Sequence, residues 1–184
     1  LPYLYIYDEP EFLYRGFMID SCRHFFTVEE VKKMIDGAAL FKFNKFHFHL
    51  SDDQGFRVEI ESYPELTRVG SVRASSDFGN MERDKTPYAH YYTKKELAEI
   101  VEYCRERHIE VIPEFDVPGH TTAVLASYPE LSCTGEKIEP KTTAGIFSDI
   151  LCAGNPGTLK MVYSVVDELC EIFTGKYFHI GGDE

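Results

Sequence analysis

Asn44-Lys-Phe-His-Phe-His-Leu-Ser-Asp-Asp-Gln54 is the stretch from which the fold is read. Phe46, Phe48 and Leu50 alternate with Lys45, His47 and His49, the two-residue period of a strand with one apolar face. Polar and charged groups, Ser51 to Gln54, follow directly. The same arrangement recurs along the chain. Arg15–Asp20 is a short strand-like run leading into Ser21-Cys22-Arg23-His24. Ile109–Pro113 leads into Glu114-Phe-Asp-Val-Pro-Gly-His120, and Tyr177–Ile180 leads into Gly181-Gly-Asp-Glu184.

Helical signals fall between these strands. Thr27-Val-Glu-Glu30 and Thr93-Lys-Lys-Glu96 are capping boxes, in which a Thr hydroxyl and a Glu carboxylate satisfy orphan N–H groups reciprocally. Val28, Val31, Ile35 and Ala38 follow the first at helical spacing, and Leu97, Ile100, Val101 and Cys104 follow the second. Asn155-Pro156 is a cap followed by a first-turn proline, with Leu159, Val162, Val166, Leu169 and Phe173 continuing the pattern. The polar stretch from about Ser62 to Tyr92 reads as an excursion over a surface.

Strands separated by helices pair in parallel. A doubly wound sheet concentrates its chemistry at one crevice, usually with a glycine-rich phosphate loop, and no such loop occurs here. A (β/α)8 barrel collects residues from many strand ends on one rim, which is where every polar motif falls. The chain is therefore read as α/β, the first half of a barrel with about four βα units.

Composition sets bounds. A length of 184 residues suits one domain, and 43% hydrophobic residues suffice for a core. A net charge of -12 argues against nucleic acid as a partner. No apolar run approaches the roughly 20 residues of a membrane span. The five cysteines show no zinc-ribbon spacing; Cys104 and Cys170 are expected in the core, while Cys133 and Cys152 flank a loop and are candidates to pair. Secreted and cytoplasmic locations both fit.

Several side chains can carry chemistry. Asp183 and Glu184 follow a Gly-Gly pair that lets the backbone leave the ladder, so both can face one pocket. Two carboxylates held close raise one pKa and create an acid near neutral pH; the plainer alternative is a solvated acidic turn. His47 and His49 share a strand face, either as metal ligands beside carboxylates or as satisfied core histidines. Pro118-Gly119 aims His120, which can bond a carboxylate such as Asp52, with a plain structural turn as the alternative. Arg23 can fork onto sugar hydroxyls or clamp a carboxylate, with an ordinary ion pair to Asp20 or Asp116 as the alternative.

Five blocks taken together are similar to the β-N-acetylhexosaminidases of glycoside hydrolase family 20: Arg15–Phe26, His47–Gly55, Pro113–His120, Tyr128–Leu131 and His179–Glu184. The resemblance runs from about Tyr14 to Glu184. It makes residues 14–184 the first half of a catalytic barrel cut at Glu184, and residues 1–13 the approach from a preceding domain. It implies removal of terminal N-acetylglucosamine or N-acetylgalactosamine from β-glycosides with retention, the substrate's own acetamido oxygen attacking C1. By the same resemblance Glu184 is the general acid/base and Asp183 holds the acetamido N–H. His120 and Asp52 form a relay to the acid, and Arg23 binds ring hydroxyls. Asp116, Glu114 and His49 stand behind them. No metal or cofactor is implied. A Cys133–Cys152 bridge resembles one in some relatives. The chain departs from the family at Phe48 and Phe56, where many relatives carry Trp, and the aromatic walls around the sugar belong to the second half of the barrel. Two alternatives accompany this reading. One is a metal-dependent barrel hydrolase using His47 and His49. The other is an inactive half-barrel that self-associates through its exposed edges or only binds sugar.

Overall fold

The structure, a computed structural model, describes residues 2–79 and 83–182. Its centre is a parallel sheet of three strands, β1 (Gly16–Asp20), β2 (Lys45–His49) and β3 (Glu110–Glu114), with β2 in the middle. Between them run α1 (Val28–Leu40) and α2 (Lys94–Arg105); α3 (Thr122–Ser127) and α4 (Pro156–Ile172) follow β3.

The register sorts the side chains into two rows. Phe17, Phe46 and Val111 stand in line, as do Ile19, Phe48 and Pro113. Phe46 and Phe48 are fully buried and join Val28, Val31, Ile35 and Ala38 of α1 in one core. On the alternate positions, Met18, His47 and Ile112 align, then Asp20, His49 and Glu114 at the carboxyl ends. One sheet face is thus apolar and covered, while the other ends in ionisable groups, as the alternation in Asn44–Leu50 predicts.

Both capping boxes form. Thr27 and Thr93 each accept from the backbone N–H three residues on, while Glu30 and Glu96 accept from the cap N–H at 2.8 Å. Asn155 caps α4 through the Gly157 N–H at 2.9 Å, with Pro156 in the first turn. Such caps stabilise a helix by about 1 kcal/mol each.

Four expectations need correction. The buried stripe of α4 is Thr158, Met161, Val165 and Leu169, with Leu159 exposed and Val162 and Val166 only partly covered. The helix is apolar around much of its circumference, so two stripes one residue apart both fit its sequence. Cys104 is buried, but Cys170, next to Leu169 on the turn away from the core, is exposed. The stretch Tyr177–Ile180 is reduced to a single parallel bridge between Glu114 and His179, held by bonds from Phe115 N to His179 O (3.1 Å) and from His179 N to Pro113 O (3.0 Å). The excursion 62–92 is more than a surface loop. It contains the helical turn Glu65–Arg68 and two small antiparallel ladders, Val72–Arg73 with Tyr88–Ala89 and Ser76–Asp77 with Arg83–Asp84. Leu66, Ser71, Arg73, Ser76 and Tyr92 within it are buried.

Cys133 and Cys152 lie close enough to influence each other's ionisation, Cys133 shifted up and Cys152 down, but both are free thiols. Among the described residues no helix is long and apolar enough to cross a membrane.

Glu168 of α4 ties two other segments together. It accepts from the backbone N–H groups of Glu61 (2.8 Å) and Ser62 (2.9 Å) and pairs with Lys94 at 2.9 Å. Partial burial would raise its pKa, but Lys94 and Ser62 overcome this and hold it at about 2, below the ordinary 4.5. A depressed carboxylate pKa stabilises the fold above pH 4.5 and ceases to do so as pH falls towards 2. Glu168→Gln is therefore expected to lower the unfolding midpoint at neutral pH, with the gap from wild type closing through that acidic window. A gap independent of pH would contradict this role.

Candidate active site

The carboxyl ends of the strands enclose a cleft of about 520 Å³ lined by Arg23, His49, Asp52, Glu114, Asp116 and His120, and also by Gly181 and Gly182. Clefts beside α2 and β3, beside the excursion, and near Cys133 do not gather these side chains. Asp183 and Glu184, assigned above as the catalytic pair, lie outside the described residues.

Asp52 is the hub. Its side chain is buried, and one oxygen, Oδ2, lies 2.7 Å from Arg23 Nη1 and 2.7 Å from His49 Nε2. Its other oxygen is 3.3 Å from His120 Nδ1. The three partners come from the loop after β1, from β2 and from the turn after β3, so one carboxylate joins three strand ends.

Arg23 also pairs with Asp20 (3.0 Å) and donates from Nε to Gln54 Oε1 (2.8 Å). Its side chain is 32% exposed towards the cleft. Burial would lower its pKa, but Asp52 and Asp20 outweigh this and raise it, so it is a permanent cation. Of the two ion pairs open to Arg23 on sequence grounds, the structure forms that with Asp20. Asp116 instead accepts the Gly182 amide at 3.2 Å, and its own amide donates to Ser51 Oγ at 3.1 Å.

His49 is held between two carboxylates: Nε2 faces Asp52, and Nδ1 lies 2.5 Å from Glu114 Oε2. Burial would lower its pKa, yet the bonds to Asp52 and Glu114 push it up to about 10. His49 is therefore an imidazolium that donates from both nitrogens. Glu114 also faces His47 Nε2 at 2.6 Å and His179 Nδ1 at 3.1 Å. Its burial would raise its pKa, but the two histidines of β2 hold it well below the usual carboxylate range.

His120 sits in the left-handed region at φ 52, a conformation that costs energy for a non-glycine residue. Its Nδ1 is 3.0 Å from Asp53 Oδ2, closer than to Asp52. Asp53 was not singled out from the sequence. Its other oxygen accepts from Thr122 N (3.0 Å) and Thr122 Oγ1 (2.5 Å) at the start of α3. The adjacent Asp-Asp pair was the available signal. Burial would lower the His120 pKa; the two carboxylates raise it instead.

Gly181 and Gly182 take φ values of 65° and 82°, which L side chains rarely adopt. A Cβ on Gly181 would lie 1.7 Å from Asp116 Oδ1. The Gly-Gly pair thus turns the backbone out of the strand against β3, as its sequence position predicts.

Donors for a metal exist in three groups among the described residues: Asp20, Cys22 and His49; His47, Glu114 and His179; Asp52, Asp53 and His120. His47 and His49, the pair considered for a metal site, fall in different groups. Both turn a nitrogen to Glu114 Oε2, so the carboxylate takes the place between them.

A parallel sheet covered by helices on one side here gathers ionisable groups at its strand ends, the side on which α/β folds place their active sites. The chain matches the model of glycosyl hydrolase family 20, catalytic domain, over residues 12–184. It belongs to that family. A β-hexosaminidase of Porphyromonas gingivalis is 47% identical over all of this chain, which covers 23% of that protein. One from Akkermansia muciniphila is 43% identical over 97% of the chain and 36% of that protein. Among solved structures, a β-N-acetylhexosaminidase superimposes with TM-score 0.90 at 43% identity, covering 96% of this chain and 37% of that one. The Streptomyces plicatus N-acetyl-β-hexosaminidase gives 0.85 at 45% identity over 95% and 33%. The chain therefore spans between a quarter and two fifths of most of these relatives' lengths, and its family folds as a TIM barrel.

The raised pKa of His49 fixes a pH dependence. A cation gained on folding stabilises fully below the ordinary value of 6.5, and that stabilisation is lost as pH rises to about 10. His49→Asn leaves Asp52 and Glu114 without their shared donor, and is expected to lower the unfolding midpoint most at pH 6, progressively less towards pH 10. A deficit that is constant or grows with pH would contradict the imidazolium assignment.

Proposed function

We propose that the full-length protein is an exo-acting β-N-acetylhexosaminidase, and that this chain supplies about the first four βα units of its (β/α)8 barrel, from residue 14 onward. One observation carries the reading: Arg23, Asp52 and His120 meet at one cleft that Gly181 and Gly182 also line. The substrate is a glycan ending in a β-linked N-acetylglucosamine or N-acetylgalactosamine.

The roles follow from chemistry. Arg23 is held by carboxylates on one side of its guanidinium and faces the cleft on the other, so it can donate to ring hydroxyls of the terminal sugar. Glu184 protonates the departing glycosidic oxygen. The substrate's acetamido oxygen attacks C1 as that bond breaks. Glu184 then takes a proton from the water that opens the cyclic intermediate. Asp183 accepts from the acetamido N–H and offsets the positive charge on the forming ring, and holding this internal nucleophile in place removes much of the entropic barrier. His120, biased towards its protonated form by Asp52 and Asp53, tunes the acid. Glu114 and His49 brace Asp52, while Asp116 braces the turn through the Gly182 amide. No step calls on a metal.

The full-length protein is expected to release the chromophore from a chromogenic β-N-acetylglucosaminide in the presence of EDTA. Glu184→Gln should lower kcat by about 10²–10⁴-fold. Activity that disappears with EDTA would favour the metal-dependent alternative through His47 and His49, and no release at all would refute the hydrolase reading.

Expressed alone, this segment leaves the outer edge of β1 without a strand partner among the described residues. Such edges recruit other strands. The isolated segment is expected to sediment as a dimer or larger species with little hydrolysis; a stable monomer would contradict this.

A further inference from the structure

Two arginines that the proposed mechanism does not use are completely buried beside the cleft. Arg57 lies directly after the strand-end motif of β2, and Arg73 lies in the excursion, at 0% and 1% exposure respectively. Burying two like charges side by side is costly, and apolar residues would fill the same space without that cost. The low-dielectric surroundings, with Arg73 nearby, push Arg57 down to about 10. Its Nε finds no partner among the described residues.

What the pair holds explains its presence. Arg57 Nη2 donates to Cys22 O (2.8 Å) and Gln54 O (3.2 Å), and Arg73 Nη1 donates to the same two carbonyls at 3.0 and 3.3 Å. Arg73 Nη2 donates to Arg23 O at 2.7 Å. Cys22 precedes Arg23, and Gln54 is the residue whose side chain receives Arg23 Nε. Both guanidiniums therefore grip the two backbone segments that aim Arg23. The rest of the assembly is built around them. Ser76 Oγ accepts from Arg73 Nε at 2.9 Å, and the Tyr88 ring lies 3.9 Å from the Arg73 guanidinium. At Gly55 any Cβ would fall within 2.1 Å of the Arg57 guanidinium.

We propose that Arg57 and Arg73 are positioning residues for substrate binding. They staple the loop after β1 to the loop after β2 so that the Arg23 guanidinium is presented to the sugar in one orientation, and the excursion that supplies Arg73, Ser76 and Tyr88 serves as the outer jaw of this staple. The inference rests on the reading of Arg23 as the group that binds ring hydroxyls.

A binding group used equally in ground and transition states acts on KM and leaves kcat nearly unchanged. In the full-length protein assayed with a chromogenic β-N-acetylglucosaminide, Arg73→Gln should raise KM by about tenfold or more, the loss of a charge-assisted contact, with kcat within about threefold. Inhibition by free N-acetylglucosamine should weaken by the same factor. Ser76→Ala, which keeps the charge and removes only the Nε acceptor, should show the same pattern more weakly, and decides the matter if Arg73→Gln does not fold. In an Arg23→Lys background, either change should add less than about twofold. A fall in kcat at unchanged KM, additivity with Arg23→Lys, or wild-type kinetics in a folded Ser76→Ala and Arg73→Gln pair would each overturn the proposal while leaving the hydrolase reading intact. A wild-type protein that neither hydrolyses the substrate nor binds N-acetylglucosamine would remove both.

Discussion

The Asp52 carboxylate, buried and shared by Arg23, His49 and His120, is the constraint on which the site depends. A buried anion is tolerated only when charged donors surround it. Here each donor comes from a different strand end, so satisfying one carboxylate brings three loops together. Removing it would leave two buried or half-buried cations facing each other, a loss of roughly 3–5 kcal/mol by analogy with broken buried pairs. The network continues sideways. His49 passes the connection to Glu114, and Glu114 meets His179 on the next segment. A line of alternating charge thus runs across the rim from Asp20 to the turn that precedes Asp183.

This arrangement separates rigidity from reactivity. The face of the sheet turned to the helices is packed with Phe46, Phe48 and their neighbours and carries no polar obligation. The opposite face ends in ionisable groups that are committed to each other, so little is free to reorganise when a ligand enters. Such prior ordering is what makes electrostatic stabilisation effective in a site that excludes water. His120 at positive φ and the two left-handed glycines mark where the backbone bends sharply at this rim.

Much of this was legible from local chemistry. The capping boxes at Thr27 and Thr93 act within four residues, so their outcome does not depend on the rest of the chain. The alternation through Phe46, Phe48 and Leu50 fixed which residues face the core. The residues singled out at the strand ends, from Arg23 to His120, do line one cleft, because a parallel sheet places consecutive carboxyl ends on one side. Long-range burial was not legible. Arg57 and Arg73 look like surface arginines in sequence, since their acceptors are backbone carbonyls of residues far away along the chain. Asp53 and Asp52 are not distinguished by sequence, because adjacent carboxylates differ only in which way the turn points them. The phase of α4 is ambiguous in sequence, since Leu159 and Val162 are as apolar as Met161 and Val165. The last strand is present only as the bridge at His179, because a strand is defined by its partners as much as by its own residues.

Family membership sharpens what these contacts are for, and it also shows that the chain accounts for well under half of each related protein's length. Under the proposed reading, the rim described here is one part of the sugar-binding site. The charged network fits that position: it orients groups towards an open cleft instead of closing around it.

The most direct test is a crystal structure of the full-length protein with N-acetylglucosamine bound. The account predicts one sugar in the cleft, its ring hydroxyls within hydrogen-bonding distance of Arg23, with the Arg23–Asp52 and Asp52–His49 contacts retained. A sugar bound away from Arg23, or an Arg23 that abandons Asp52 to reach it, would contradict the claim that this shared carboxylate organises the site.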